Sequence, residues 1–502
     1  MDNIFIHRMR ENHRWYVEMS AVFAFLSTAC LYRNLSGITF LPATAALVGF
    51  SVLFLRKNGI PLQKGSAPYF AGMLLLGLST VLTDRVFFHF FNNVGIVLLF
   101  MMGMAHQLYR DNEWGFTDYV KKFFIMAGTW IGSVGELFYR ERKEEADGAG
   151  RKDPAKQARL RQAAAVLCGA LAAVLLMLIV LPLLITSDRV FSELLDTVFR
   201  MLSPMELLRK IDIGNIIGPV FTFAFFLAAL YAFFAGLFKM NLGGKEQIRP
   251  GKISPAAGIA FAGVLAAVYV VYAGIQILFL FLRLDRGLPD GVTYSQYAHE
   301  GFWQLLFVSL INFGTVLICV RIFADNRALK ILLAVVSGCT CIMILSAGYR
   351  MALYVGEYDL SFLRVLVLWF LGVLLLFFFG VIYSIFRRTF GLFRYMTAVL
   401  SAAYILLSLS HVDAGIAAYN IRNAEDQNDI DVYYLTEILS QDAAPQIACL
   451  IDPRKADDDT RTYLTGYFSD IRSENEETGI RKWNYARYEA SRAAEEWLFS
   501  ER

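Results

Sequence analysis

The stretch that decides the fold runs from residue 362 to residue 385 and reads FLRVLVLWFLGVLLLFFFGVIYSI. Arg364, near its start, is the only charged residue in it. An apolar run of about 20 residues, wound as a helix, crosses the roughly 30 Å hydrocarbon core of a bilayer. The stretch is therefore typical of a membrane-spanning helix, and similar stretches recur along the chain.

The composition of the whole chain agrees with this interpretation. Of the 502 residues, 57% are hydrophobic and only 18% are charged, and the mean hydropathy is +0.48. Soluble domains carry about 25% charged residues. These values exclude a soluble globular enzyme, a nucleic-acid-binding domain, a coiled coil and a disordered protein. They indicate where the protein resides more strongly than what it does there.

The hydropathy pattern predicts an all-α, polytopic transmembrane helical bundle with about eleven spans. Only residues 83–85 separate the third span from the fourth. The predicted spans are residues 15–32, 36–55, 67–82, 86–104, 163–185, 215–237, 256–281, 302–320, 328–347, 362–385 and 395–410.

The orientation follows from the distribution of Lys and Arg, which are more frequent in cytoplasmic flanks. Arg8, Arg10 and Arg14 precede the first span, and every second flank after it is also basic. With eleven spans, the N-terminus is cytoplasmic and the C-terminus lies outside. No small-residue cleavage site follows the first apolar run, which therefore resembles an uncleaved signal anchor.

Four segments follow from this topology: 1–104 with four spans, 105–161 as a cytoplasmic amphipathic helix and charged linker, 162–410 with seven spans, and 411–502 as a small extracytoplasmic helical domain. Residues 115–140 place apolar side chains at helical spacing, which favours a helix lying on the membrane surface. A short twelfth span is the alternative for this stretch. Residues 190–208 form a second amphipathic segment, expected on the outer interface.

The C-terminal segment differs from the rest of the chain in charge. Residues 411–502 hold 19 acidic and 10 basic residues, so their net charge is −9. We expect this tail to dock on the outer loops, where Arg350 and Arg364 would attract it. Trp483 and Trp497 are large for so small a domain, which predicts that they are buried against the bundle.

Motifs for chemistry are scarce. The sequence contains no glycine-rich phosphate loop, no H-E-x-x-H and no G-x-S-x-G. We therefore expect no cofactor, no metal and no catalytic residues. Whether the protein is an enzyme stays open, and a non-enzymatic protein is favoured. His89, Asn92, Asn93, Gln276 and Asn312 are polar residues in spans, and we expect them to form hydrogen bonds between helices.

Several short motifs, in order, resemble those of a known family. They are Leu181-Pro-Leu-Leu with Ser187-Asp188, Tyr294-Ser-Gln-Tyr297, Tyr349-Arg350 with Tyr354, and Asp413-Ala-Gly-Ile416 with Tyr419-Asn420. A final match is Trp483-Asn484 with Arg487. The set resembles the bacterial membrane family known as the domain of unknown function 4153/4173 group. That resemblance implies a polytopic membrane protein but no established reaction, substrate or cofactor.

On the predicted topology these motifs share the outer face and define two candidate sites. One is a ligand or lipid site, for which a purely structural network is the alternative. It comprises Tyr294, Tyr297, Glu300, Tyr349, Arg350, Tyr354 and Arg364. There the two arginines would meet Glu300, Glu357 or Asp413. The second is the docking site of the tail, comprising Asp413, Tyr419, Asn420, Trp483 and Arg487.

These features favour a non-enzymatic protein of the bacterial cytoplasmic membrane, with a sensing, regulatory or assembly role at the outer face. A transporter or lipid-handling protein with a cavity between the spans is the alternative. An envelope-modifying enzyme is the third possibility. The expected partners are membrane lipid and an envelope or membrane protein, without nucleic acid.

Overall fold

The structure is a computed structural model and describes residues 4–34, 36–109, 114, 116–138, 214–240, 253–278, 294–387, 390–426, 429–476 and 479–500. The predicted fifth span (163–185), the amphipathic segment 190–208 and most of the charged linker lie outside these residues.

Within the described ranges the chain is helical, and a single β-bridge between Ile253 and Phe323 is its only extended pairing. The helices before the tail are α1 (Ile4–Glu11), α2 (His13–Leu31), α3 (Phe40–Lys57), α4 (Ala67–Leu82), α5 (Val86–Leu108), α6 (Phe116–Gly132), α7 (Gly214–Lys239), α8 (Pro255–Gln276), α9 (Tyr294–Ile322), α10 (Arg327–Tyr358), α11 (Phe362–Phe386) and α12 (Leu392–Leu409). The tail contains α13 (Val412–Asn423), α14 (Ala444–Leu450), α15 (Asp458–Glu476) and α16 (Tyr485–Ser500).

Nine helices in the described part of the chain are long and apolar enough to cross a membrane: α3, α4, α5 and α7 to α12. The predicted all-α polytopic fold is confirmed. Helix α2 covers the first predicted span but is not among the nine, because Arg14 and Glu18 make its first turns polar; they pair at 2.7 Å. The total of eleven stays a prediction, since the fifth span lies outside the described residues.

The chain divides into two compact units. Unit 1 comprises residues 1–34, 45–63 and 120–242. Its aromatic core includes the ring of Tyr16, edge-on to Phe54 at 4.9 Å, and Phe54 packs on Phe234 at 5.0 Å. Glu136 accepts hydrogen bonds from Arg10, and Lys239 pairs with it at 2.9 Å. Helix α1 and the end of α7 therefore lie at the same end of unit 1.

Unit 2 comprises residues 35–44, 64–119 and 243–502, so it includes the tail. The tail has its own core, in which Phe468 and Trp497 lie with ring centroids 5.1 Å apart. This core continues without a break to Phe88 of α5 and Leu407 of α12, both buried. Trp497 is buried in this shared core, where its ring packs on Phe468, and whether it needs the bundle for burial stays a prediction.

Helix α6 is amphipathic, as its sequence pattern suggests. Tyr119 and Met126 are buried, whereas Val120, Phe124 and the following Phe138 are exposed. An exposed apolar stripe suits contact with lipid, which keeps the surface-lying arrangement as the preferred prediction for this segment.

The tail core yields a direct stability prediction. Phe468→Ala removes a fully buried ring and is expected to lower the free energy of unfolding of the tail by about 3–5 kcal/mol. Ser469→Ala, at an exposed position of the same helix, is the control and is expected to change it by less than about 0.5 kcal/mol. Hydrogen exchange of tail peptides in the full-length protein measures both values. Equal effects of the two substitutions would contradict the described core.

Candidate functional site

The candidate site is a buried ionic network where the tail meets the ends of the membrane helices in unit 2. Its floor is the three-residue turn Thr83-Asp84-Arg85, which joins α4 to α5. Its second part is Ser410-His411, which joins α12 to the tail helix α13. We call these five residues, with Asp413, Ser440, Asp442 and Arg487, the junction.

Asp413 lies in the first turn of α13 with only 1% of its side chain exposed. Its Oδ2 accepts hydrogen bonds from Arg85 Nη1 at 3.0 Å, from the Ser440 amide at 2.9 Å and from Ser440 Oγ at 2.7 Å. Arg85 also donates to the Ile438 carbonyl at 2.8 Å. Its guanidinium lies 4.2 Å from the centre of the Phe362 ring. Arg85 thus binds two segments of the tail from the membrane helices.

Asp442 is the second buried carboxylate, and it too has a side chain 1% exposed. Its Oδ2 accepts from Thr83 Oγ1 at 2.8 Å and from the Asp84 amide at 3.0 Å. Its Oδ1 lies 3.1 Å from His411 Nδ1. Since a carboxylate can only accept, His411 carries a proton on Nδ1 in this arrangement.

Ser440 links the two carboxylates. Its Oγ lies 2.7 Å from Oδ2 of Asp413 and 2.8 Å from Oδ2 of Asp442. A hydroxyl has one hydrogen, so it donates fully to only one carboxylate at a time. Asp413 Oδ1 is buried and has no hydrogen-bond partner among the described residues. The junction is therefore short of donors on the Asp413 side.

A third carboxylate fixes the last tail helix. Arg487 Nε donates to Asp84 at 2.7 Å. Asn484 donates to the Thr80 and Thr83 carbonyls at 3.2 and 2.8 Å, and its Oδ1 accepts from the Ala486 amide at 2.9 Å. Asn484 therefore caps the start of α16 and ties that helix to the end of α4.

Tail contacts extend to the loop between α10 and α11. The Asn420 amide accepts from the Leu360 N–H at 2.9 Å and donates to the Leu360 carbonyl at 3.0 Å. Tyr434 accepts a hydrogen bond from the Phe362 N–H at 3.1 Å. Tyr419 is half-buried nearby in the same helix as Asn420. The proposed docking residues Asp413, Asn420 and Arg487 thus contact membrane-helix ends directly.

The proposed ligand site has a different geometry from the predicted vestibule. Arg364 donates to the Tyr358 and Asp359 carbonyls and lies 4.5 Å from the centre of the Tyr354 ring. It therefore closes the C-terminal end of α10, where Asp359 has φ +63°. Asp413 pairs with Arg85 rather than with Arg350 or Arg364.

The structure describes the side chains of only some of the remaining members of that site. Tyr349 and Arg350 are half-buried on α10, and Glu357 is exposed. Tyr294, Tyr297 and Glu300 lie in the first turns of α9, but their side chains are outside the described part. Whether these residues form a ligand site stays a prediction.

Burial and hydrogen bonding shift the pKa values of four titratable groups in the junction. Burial raises the pKa of Asp413 and of Asp84, against the lowering effect of Arg85 and Arg487 respectively. Burial also opposes ionisation of Asp442, but hydrogen bonds from His411, Ser440 and Thr83 hold its pKa below the ordinary value. The bond to Asp442 raises the pKa of His411 despite burial. With His411 in its charged form, the imidazolium and two arginines together balance the charge of three ionised carboxylates.

Asn92, Gln276 and Asn312 form the expected hydrogen bonds between helices. Asn93 instead donates to the His89 carbonyl of its own helix at 2.8 Å, and His89 Nε2 lies 2.8 Å from the Thr83 carbonyl of the preceding turn. Asn92 donates to Ser79 at 3.2 Å and to Thr80 at 3.1 Å. Its carbonyl oxygen accepts from Tyr404 and Ser408, both at 3.0 Å. Further along the bundle, Asn312 bonds Tyr269 and Thr340, and Gln276 accepts from Ser346. These three amides thus join neighbouring helices.

The fold and the junction together define an integral membrane protein with a helical domain clamped to the ends of its helices. The profile of the domain of unknown function DUF4153 matches residues 70–450. The chain belongs to this family, which confirms the resemblance of its motifs. Comparisons with curated proteins and with solved structures return no match.

Asp413 and Arg487 were predicted from the sequence as site residues. Their partners Thr83, Asp84, Arg85, His411, Ser440 and Asp442 were not. The available signal was the charged turn at 83–85, placed between two apolar helices with no room to extend into water.

The first prediction from the junction concerns the Asp413–Arg85 pair. Arg85→Ala leaves a buried carboxylate without its cation, which costs about 3–5 kcal/mol. Arg472→Ala, whose partner Glu476 is exposed, is the control and costs less than about 1 kcal/mol. Hydrogen exchange of residues 412–423 reports the free energy of opening. An Arg85→Ala effect no larger than that of the control would contradict a buried clamp.

The second prediction concerns pH. Protonated His411 contributes stability that is complete below 6.5, its ordinary pKa, and is lost as the pH rises through its raised value. The raised pKa of Asp413 acts in the same direction, because its charged form is penalised above 3.8. The contribution of Asp442 is present above 3.8 and is lost only as the pH falls through its lowered value.

The tail is therefore expected to open more readily at about pH 8 than at about pH 6, measured as hydrogen exchange corrected for intrinsic rates. His411→Asn tolerates the left-handed backbone at this position, where φ is +48°. It also keeps an amide donor, so it should flatten the change above pH 6.5. A pH response identical in the variant would exclude His411 as its source.

Proposed function

We propose that this protein belongs to the bacterial cytoplasmic membrane, with its N-terminus inside and its tail domain outside, and that it has a sensing, regulatory or assembly role there. The observation that carries the proposal is the junction. Its three carboxylates and two arginines come from both the tail and the membrane-helix ends, and they make these two parts move as one body. A conformational change in the tail is thereby transmitted to α4, α5 and α12.

The orientation is supported by the basic flanks and by the contacts in unit 1. Arg10 before α2 and Lys239 at the end of α7 both bind Glu136. All three were predicted on the cytoplasmic side. The shared ion pairs are those expected if α2 and α7 cross the membrane in opposite directions.

Transport is the weaker proposal, because it requires polar groups around a cavity near the middle of the membrane. Asn92, Asn312 and Gln276 instead form hydrogen bonds with hydroxyl groups of neighbouring helices. A rigid bundle that carries a sensing or docking domain agrees better with such pairing. The grouping of Ser440, His411 and Asp442 does not favour an envelope enzyme, because the Ser440 hydroxyl contacts two carboxylates and His411 Nδ1 faces Asp442.

The orientation is tested with cysteines introduced one at a time into a chain whose six native cysteines are replaced by alanine, among them Cys449, which is exposed in the tail. Asp458→Cys places the thiol at a side chain that is 96% exposed. His7→Cys is the matched site near the N-terminus, where the side chain is 78% exposed. In intact cells a membrane-impermeant maleimide should label position 458 and spare position 7 until lysis. The reverse pattern would overturn the orientation.

The role is tested by complementation of a deletion strain under envelope stress. Arg85→Ala should reach the membrane at normal abundance yet fail to complement, as a chain truncated after Ser410 should. Arg472→Ala, which changes an exposed arginine of the same domain, should complement fully. If the truncated chain complements as well as the wild type, the function resides in the bundle and the proposed role is wrong.

A further inference from the structure

The tail segment 479–488 has a composition unlike the rest of the tail. It reads GIRKWNYARY, with three basic residues and no acidic one, in a domain of net charge −9. Arg481 and Lys482 are both exposed. So are the apolar side chains of Ile480 (88%), Trp483 (37%) and Tyr488 (48%). Exposed aromatic and basic residues together are the composition of membrane–water interfaces.

The backbone of this segment is fixed at the ends of two membrane helices. The Ile38 N–H, two residues before α3 begins, donates to the Trp483 carbonyl at 2.8 Å. Asn484 bonds the last carbonyls of α4, as described above. Since α3 and α4 are long and apolar enough to span, their ends lie near the boundary of the hydrocarbon core. The segment is thereby held at the depth of the lipid headgroups.

Gly37 shows how closely the backbone of residues 481–482 packs against the chain just before α3. It is buried, has φ +123°, and a Cβ there would lie 2.8 Å from the Arg481 carbonyl oxygen. Any side chain would push the segment away from the start of α3. The neighbouring Ile38 is 43% exposed and extends the apolar surface beside Trp483.

We propose that residues 480–488 form a binding surface for anionic phospholipid headgroups of the same bilayer. In this arrangement Ile480, Trp483 and Tyr488 enter the headgroup layer, and Arg481 and Lys482 meet lipid phosphates. The anionic surface attracts the basic segment and repels the remaining tail, so the domain is oriented with this edge towards the membrane. The tail is then attached at two places: the junction binds it to the membrane-helix ends, and residues 480–488 bind it to the lipid surface.

Site-directed spin labelling of the full-length protein in liposomes tests this surface. The label is placed at Ile480→Cys in the same cysteine-free background, with Asp458→Cys as the site expected in water. In vesicles of phosphatidylcholine and phosphatidylglycerol, the label at 480 should be more accessible to oxygen than to a water-soluble nickel complex. The label at 458 should show the opposite ratio. A label at 480 as aqueous as that at 458 overturns the proposal.

Charge reversal separates headgroup binding from simple proximity. Arg481→Glu with Lys482→Glu alters only exposed side chains and should shift the label at 480 towards water. Arg454→Glu with Lys455→Glu, an exposed basic pair elsewhere in the tail, should leave it unchanged. Unaltered hydrogen exchange at Ser440 in both variants shows that the tail is still folded and clamped.

Two further outcomes reject the proposal. An interfacial label that is insensitive to charge reversal, and equal in pure phosphatidylcholine, means that anionic headgroups are not bound. A label at 480 that is immobile and inaccessible to both reagents means that protein covers the surface instead of lipid.

Discussion

The structure of unit 2 depends on burying Asp413 and Asp442 where the tail meets the membrane helices. A buried carboxylate is costly unless donors and cations satisfy it. Here those groups come from elements far apart in the chain: Arg85 and Asp413 are 328 positions apart, and Arg487 and Asp84 are 403 apart. The carboxylates can be satisfied only when the tail is docked. This requirement fixes the tail to the ends of α4, α5 and α12 in one arrangement.

Apolar packing between the tail and the membrane helices also stabilises the docked arrangement. The core of Phe468 and Trp497 continues to Phe88 and Leu407, so the apolar surfaces of tail and bundle are buried together. Hydrophobic burial is large but non-directional. The ionic pairs and the Asn484 cap supply the register that burial leaves undetermined. His411, with its left-handed backbone between α12 and α13, belongs to both the covalent connection and the ionic network.

The spans were predictable from the sequence because hydropathy is a local property: residues 67–82 and 362–385 coincide with α4 and with most of α11. The junction was not, because a contact such as Ser440 with Asp413 arises from folding over long distances. The three-residue turn at 83–85 looked like an uncertain boundary, and it proved to be the floor of the site. Trp483 and Trp497 were both expected against the bundle. Trp497 lies in the core, whereas Trp483 is partly exposed. The size of the side chain did not distinguish the two, because their surroundings depend on how the four helices of the tail pack.

The claim that a buried carboxylate network locks the tail to the bundle is tested most directly at two backbone amides. The Asp84 amide donates to Asp442, and the Ser440 amide donates to Asp413. Residue-resolved hydrogen exchange in lipid nanodiscs should show both amides protected and opening with the same free energy as the tail helices. Rapid exchange at Asp84 and Ser440, while the Phe468 core remains protected, would show that the tail folds without being locked and would contradict the claim.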